Sequence, residues 1–117
     1  MAQAAKAFVV FVTCPTKRQA EQLAARLVRE HLAACVNVVP LAASYFRWQG
    51  KLERARELLL IIKTSARSLR PLRQAIVRHH SYDVPEVIAW PIAEGHPPYL
   101  RWVQESTAPA APRRRLS

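Results

Sequence analysis

The chain has 117 residues, half of them apolar, and a formal net charge of +10. That length fits one domain, and no apolar run approaches the roughly 20 residues that span a bilayer, so no membrane partner is expected. With only Cys14, Cys35, Gly50 and Gly95 of their kinds, a disulfide framework, a cysteine-rich zinc site, a P-loop and a dinucleotide fingerprint are all excluded.

In chain order, Phe8 to Val12 is a continuous apolar run rich in aromatic and β-branched residues, the pattern of a strand covered on both faces. It is thinner than a secretory core segment, and Thr13-Cys14-Pro15 is a poor cleavage site, so a cytoplasmic protein is expected. Thr16-Lys17-Arg18-Gln19 fits a capping box. Ala20, Leu23, Ala24, Leu27, Val28 and His31 then follow at helical spacing. Leu32 to Val39 and Pro40 follow, with small alanines that leave room for close packing, and Ser44 to Trp48 reads as a strand. Gln49-Gly50 is a tight-turn signal, and Lys51 to Thr64 alternates before turning wholly apolar at Leu58. Ser68 is placed to cap a second helix with Pro71 in its first turn and Leu69, Leu72, Ile76 and His79 on its buried face. Val84 to Ile92 is a further strand, and Pro97 to Val103 a short helix opened by prolines. The ordered unit is expected over residues 1–106, with 107–117 a disordered basic tail holding Arg113-Arg114-Arg115. Strand, helix, strand, strand, helix, strand, helix is the order of a ferredoxin-like βαββαβ domain of the α+β class, extended by a C-terminal helix.

The central hairpin is too long for such a domain. Fourteen extended residues span about 46 Å at roughly 3.3 Å each, against about 30 Å for a domain whose radius of gyration is near 13 Å. Its tip should therefore project, carrying Tyr45, Phe46, Trp48 and Leu52 among charges. Exposed aromatics on an open-edged ribbon invite association, and a closed ring of subunits would hide them.

Arg78-His79-His80-Ser81-Tyr82-Asp83-Val84-Pro85-Glu86 gathers two histidines, a phenol and two carboxylates, and Asp83 is the only aspartate. The ferredoxin-like order puts the end of the first strand beside the start of the last one. That brings Cys14 toward His79, His80 and Glu86. Thiolate and imidazole are the ligands that copper or zinc prefers. Opposing readings stand beside this one. A histidine in the last helical turn is favoured by the helix dipole alone, His79 falls on the apolar period, and Asp83 can simply close a turn. Tyr82, Asp83 and Glu86 can instead line a cleft between subunits and receive a cationic ligand. Cys35 reads as a small buried hydrophobe. No oriented nucleophile can be assigned, so no enzyme is expected. The charge favours an anionic partner, but Leu58 to Ile62 offers no aromatic platform for bases, so nucleic acid is not expected.

Several dispersed motifs, in order, resemble the CutA family of divalent-cation tolerance proteins. They are Val12-Thr13-Cys14-Pro15, Leu32-Ala33-Ala34-Cys35-Val36-Asn37, Tyr45-Phe46-Arg47-Trp48-Gln49-Gly50-Lys51-Leu52-Glu53, Ile62-Lys63-Thr64, His80-Ser81-Tyr82-Asp83-Val84-Pro85-Glu86 and Tyr99-Leu100-Arg101-Trp102. The resemblance implies a tight homotrimer built around the hairpins, similar in plan to PII signalling proteins. It also implies a link to copper or another divalent metal without an enzymatic reaction. It singles out His79 and His80 as metal ligands, with a third position near the end of the first strand, Cys14 by topology or Val12 by alignment. Two positions depart from the family. Ser81 stands where proline is usual, and Arg54 and Arg56 make the hairpin tip more basic.

Overall fold

The computed structural model describes residues 6–109. β1 (Ala7–Cys14) buries Val10, Val12 and Cys14 on one side and leaves Val9, Phe11 and Thr13 half-covered on the other, the alternation a strand imposes. It lies between β5 (Leu58–Ser65) and β6 (Val87–Pro91), and β2 (Cys35–Pro40) takes the far edge of β5. Every pairing in this β2-β5-β1-β6 sheet is antiparallel. The register sets Ala7 opposite Ser65 at one end and Cys14 opposite Leu58 at the other.

α1 (Lys17–Arg29) and α2 (Ala66–His79) cover one face of the sheet. Leu23, Leu27, Leu72 and Ile76 meet Val10, Val12, Leu60 and Ile62 there. Fully burying each of these large side chains stabilises the fold by about 2 kcal/mol. The opposite face carries Phe11, Ile61, Ile88 and Trp90. Phe11 and Trp90 meet edge to face at 4.9 Å, yet Ile88 and Trp90 stay 46% and 45% exposed. The apolar run of β1 predicts cover on both faces; a single chain supplies it fully on one, and on the other Val103 covers the Ala7 end while Ile88 and Trp90 stay open.

β3 (Ser44–Trp48) and β4 (Lys51–Ala55) form a separate two-stranded arm. Gln49 and Gly50 both have positive φ, 50° and 77°, the turn that matches strand twist. The expected single strand Lys51 to Thr64 breaks at Arg56–Glu57. There the chain leaves β3 and joins β1 and β2. The arm projects as the length argument requires: the radius of gyration is 16.1 Å and the longest extent 58 Å.

Other expectations are corrected locally. His31 leaves the helix: Glu30 is the cap and His31 turns left-handed at φ 60. The His31 and Leu32 N–H groups donate to the Val28 and Leu27 carbonyls, a Schellman ending. The Thr16 hydroxyl accepts from the Gln19 N–H at 3.1 Å, but the Gln19 side chain does not reach back. Ser65, not Ser68, caps α2, which starts a turn early and puts Pro71 in its second turn. His79 is exposed, and Ala75 takes its expected place in the core. β6 begins at Val87 rather than Val84, and α3 (Pro97–Ser106) runs a turn longer than expected. Thr107, placed by composition at the start of the tail, is 2% exposed and caps α3. Arg113-Arg114-Arg115 lie outside the described residues. No described helix is long and apolar enough to cross a membrane.

Candidate functional site

α2 ends at His79, and His80 adopts an extended backbone (φ −78, ψ 145). That change separates the two adjacent rings. His80 turns inward to the end of β1, while His79 stays outside beside α1, in a hollow of about 610 Å³ with Gln19, Arg26 and Arg29. His80 Nε2 lies 2.7 Å from the Thr13 carbonyl oxygen, and the Tyr82 N–H donates to His80 Nδ1 at 3.0 Å. A carbonyl can only accept, so Nε2 carries the proton and Nδ1 the lone pair. The ring is therefore the neutral Nε2–H tautomer, fixed by backbone on both sides.

Cys14 Sγ stands 3.8 Å from His80 Nε2. Because that nitrogen donates, it cannot take the thiol proton. Burial first, and the Glu57 charge second, push the Cys14 thiol up to about 11. The pair is a thiol beside a neutral imidazole, and as arranged it is not a nucleophilic dyad.

Glu57, at the junction of arm and sheet, completes the corner. Its carbonyl accepts from the Leu41 N–H at 2.9 Å, and its Oε2 accepts from the Tyr82 hydroxyl at 3.0 Å. Tyr82 is pushed up to about 12 by burial, then by this hydrogen bond and by the charges of Glu57 and Cys14. Tyr82 also tilts against the His80 ring, with centroids 4.9 Å apart. Between the arm and the 81–86 loop opens a cleft of about 870 Å³. Tyr45, Phe46 and Trp48 of β3 contribute to its lining, and Glu57, Asp83 and Glu86 supply its charge.

Of the expected site residues, Cys14 and His80 come together and His79 does not join them. Glu86 lines the cleft instead. Sulfur and imidazole suit a soft or borderline ion in kind. The pair stops short of a closed site, because no three His, Cys, Asp or Glu side chains among the described residues converge on one point. Ser81, in place of the family's proline, donates to Gln19 Oε1 at 2.7 Å and ties the loop to α1. Cys35 is half-buried rather than core. Lys63 Nζ lies 3.7 Å from its sulfur, and Asn37 Oδ1 accepts from the same ammonium. Glu57 is the residue that sequence reasoning missed. Its one signal was a carboxylate directly before the apolar run at Leu58, where a strand buried on entry would carry no charge.

An antiparallel four-stranded sheet with two covering helices, a projecting arm and a Cys–His corner defines a small α+β protein. A family profile described as CutA1 divalent ion tolerance protein matches residues 8–106, and the chain belongs to that family. It is similar to the divalent-cation tolerance protein CutA of Thermus thermophilus, 46% identical over 85% of this chain and 96% of that protein. The chloroplastic protein CutA of Arabidopsis thaliana is 48% identical over 85% of this chain. The match spans only 54% of that longer relative. The crystal structure of CutA1 from Oryza sativa superposes with a TM-score of 0.85 at 44% identity, covering 92% of this chain and 98% of that one.

Proposed function

We propose that the chain is a cytoplasmic, non-enzymatic, ferredoxin-like homotrimer that binds copper or another divalent metal in a response to metal ions. The observation that carries the metal reading is the 3.8 Å approach of Cys14 Sγ to His80 Nε2. Thiolate and imidazole are ligands for such an ion, so binding here would displace the Cys14 proton and move the ring proton off Nε2, at a corner where the chain turns from α2 toward β6. The half-open apolar face of the sheet and the projecting arm support assembly, since a ring of copies would cover both. Calorimetric titration with Cu(II) tests the site. His80→Ala is expected to lose binding, with His79→Ala close to wild type because its ring lies outside the corner. Equal affinity in wild type and the His79→Ala/His80→Ala double variant would sink the site. Light scattering tests assembly: the expected particle is three times the 13.3 kDa chain, and a stable monomer at micromolar concentration would refute it.

A second reading is favoured by the cleft under the arm. In it the protein is a metal-independent, PII-like interaction trimer that takes a small molecule or partner in clefts at subunit boundaries.

A further inference from the structure

Glu57 is an uncompensated charge. The residue is 8% exposed, yet no Lys, Arg or His stands within ion-pair distance of it among the described residues. The chain has 18 basic residues against 8 acidic ones, so this is not for want of cations. Burying an ion without its opposite is costly, and the site is short of a positive charge. Oε2 accepts from Tyr82. Oε1 takes no protein hydrogen bond among the described residues, and no fully buried side-chain oxygen there lacks a partner, so Oε1 opens to the cleft.

The rest of the lining agrees. Asp83 and Glu86 add two carboxylates, and no Lys, Arg or His contributes. The facing wall is aromatic, with Phe46 and Trp48 on one face of β3, 43% and 54% exposed. Aromatic faces attract cations, carboxylates bind them through charge-assisted hydrogen bonds, and about 870 Å³ suits a small ligand.

We propose that the cleft binds a small organic cation, an alkylguanidinium or alkylammonium. Its charged head pairs with Glu57, and its body lies against Phe46 and Trp48. This rests on the second reading above and names the chemistry of its ligand.

Calorimetry with n-butylguanidinium, and with butyrate as the opposite charge, tests it. Wild type should bind butylguanidinium saturably and butyrate not at all. Glu57→Gln should bind at least about tenfold more weakly, the loss expected for one charge-assisted pair. Trp48→Ala, in the arm and outside the helix-covered core, should bind several-fold more weakly at an unchanged particle size by light scattering. Melting curves confirm that each variant is folded. No saturation in wild type and all variants, or equal affinity in folded Glu57→Gln, would overturn the proposal. Binding of butyrate alone would keep the cleft a ligand site and overturn its assigned chemistry. If wild type is silent but Arg54→Ala/Arg56→Ala binds butylguanidinium, an arginine of the arm already fills the site, and a free ligand is ruled out. Cu(II) titration reads Cys14 and His80 separately, so either result stands without the other.

Discussion

At the Ala7 end of the sheet, Ser65, Ser68 and Thr107 are buried together, and at the Cys14 end the buried Cys14 and Glu57 meet the half-buried His80 and Tyr82. The first group is neutral and closed. The Ser68 N–H donates to Ser65 Oγ at 3.3 Å, and the Ser68 hydroxyl donates to the Thr107 carbonyl at 3.1 Å. Thr107 Oγ1 lies 2.8 Å from both Ser65 Oγ and the Val103 carbonyl oxygen. A carbonyl only accepts, so Thr107 donates to Val103 and Ser65 donates to Thr107. Each hydroxyl proton then has one acceptor, and α3 is locked to the cap of α2. The second group holds a carboxylate with no counter-charge, a thiol and a phenol both held protonated, and an oxygen facing a cleft. Both ends bury polarity, but only one is satisfied from within. The closed end serves stability, and the open end has capacity left for a ligand.

Alkali should break the open end first. The Cys14 thiol is raised in the fold, so the folded state holds a proton that the unfolded chain loses. The resulting stability is fully present below pH 9 and is lost as pH climbs toward 11, by about 2–3 kcal/mol. Denaturant unfolding of reduced protein across this range should show that fall, with a clearly shallower slope in Cys14→Ala. An unchanged slope would mean the thiol is not buried as described. At the closed end, Ser65→Ala removes a helix cap and the acceptor of the Ser68 N–H. It should cost about 1–2 kcal/mol with no alkaline dependence, read from the same unfolding curves. The smallest effect separates charge from burial. In Glu57→Gln, ultraviolet titration should find Tyr82 below its wild-type value near 12. It should not return fully to 10, because burial is the larger cause and remains. No movement at all would remove Glu57 as a source of negative potential at the corner.

The strand-helix order, the Gln49-Gly50 turn and the projecting arm were legible because each depends on local pattern or chain length. The cap of α2 was misplaced because Ser65 and Ser68 are equally good capping residues, and burial against Thr107 decides between them. His31 and His79 both sit on an apolar period that ends before the helix-covered core reaches them. Periodicity reports the face of a helix and does not report where its neighbour stops. The family motifs identified the corner, and Ser81 within it was visible as a departure, but its bond to Gln19 joins residues 62 positions apart.

By itself the sequence determined the elements, the family and the presence of donors near Cys14 and His80, since these follow from side-chain type, spacing and order. Only the tertiary structure decided what those donors can do. The extended backbone of His80 sends the two histidines apart, the Thr13 carbonyl fixes which nitrogen carries the proton, and the fold of the arm buries Glu57 without an opposite charge among the described residues. Each of these depends on groups distant in sequence meeting at hydrogen-bond range, which no local pattern encodes.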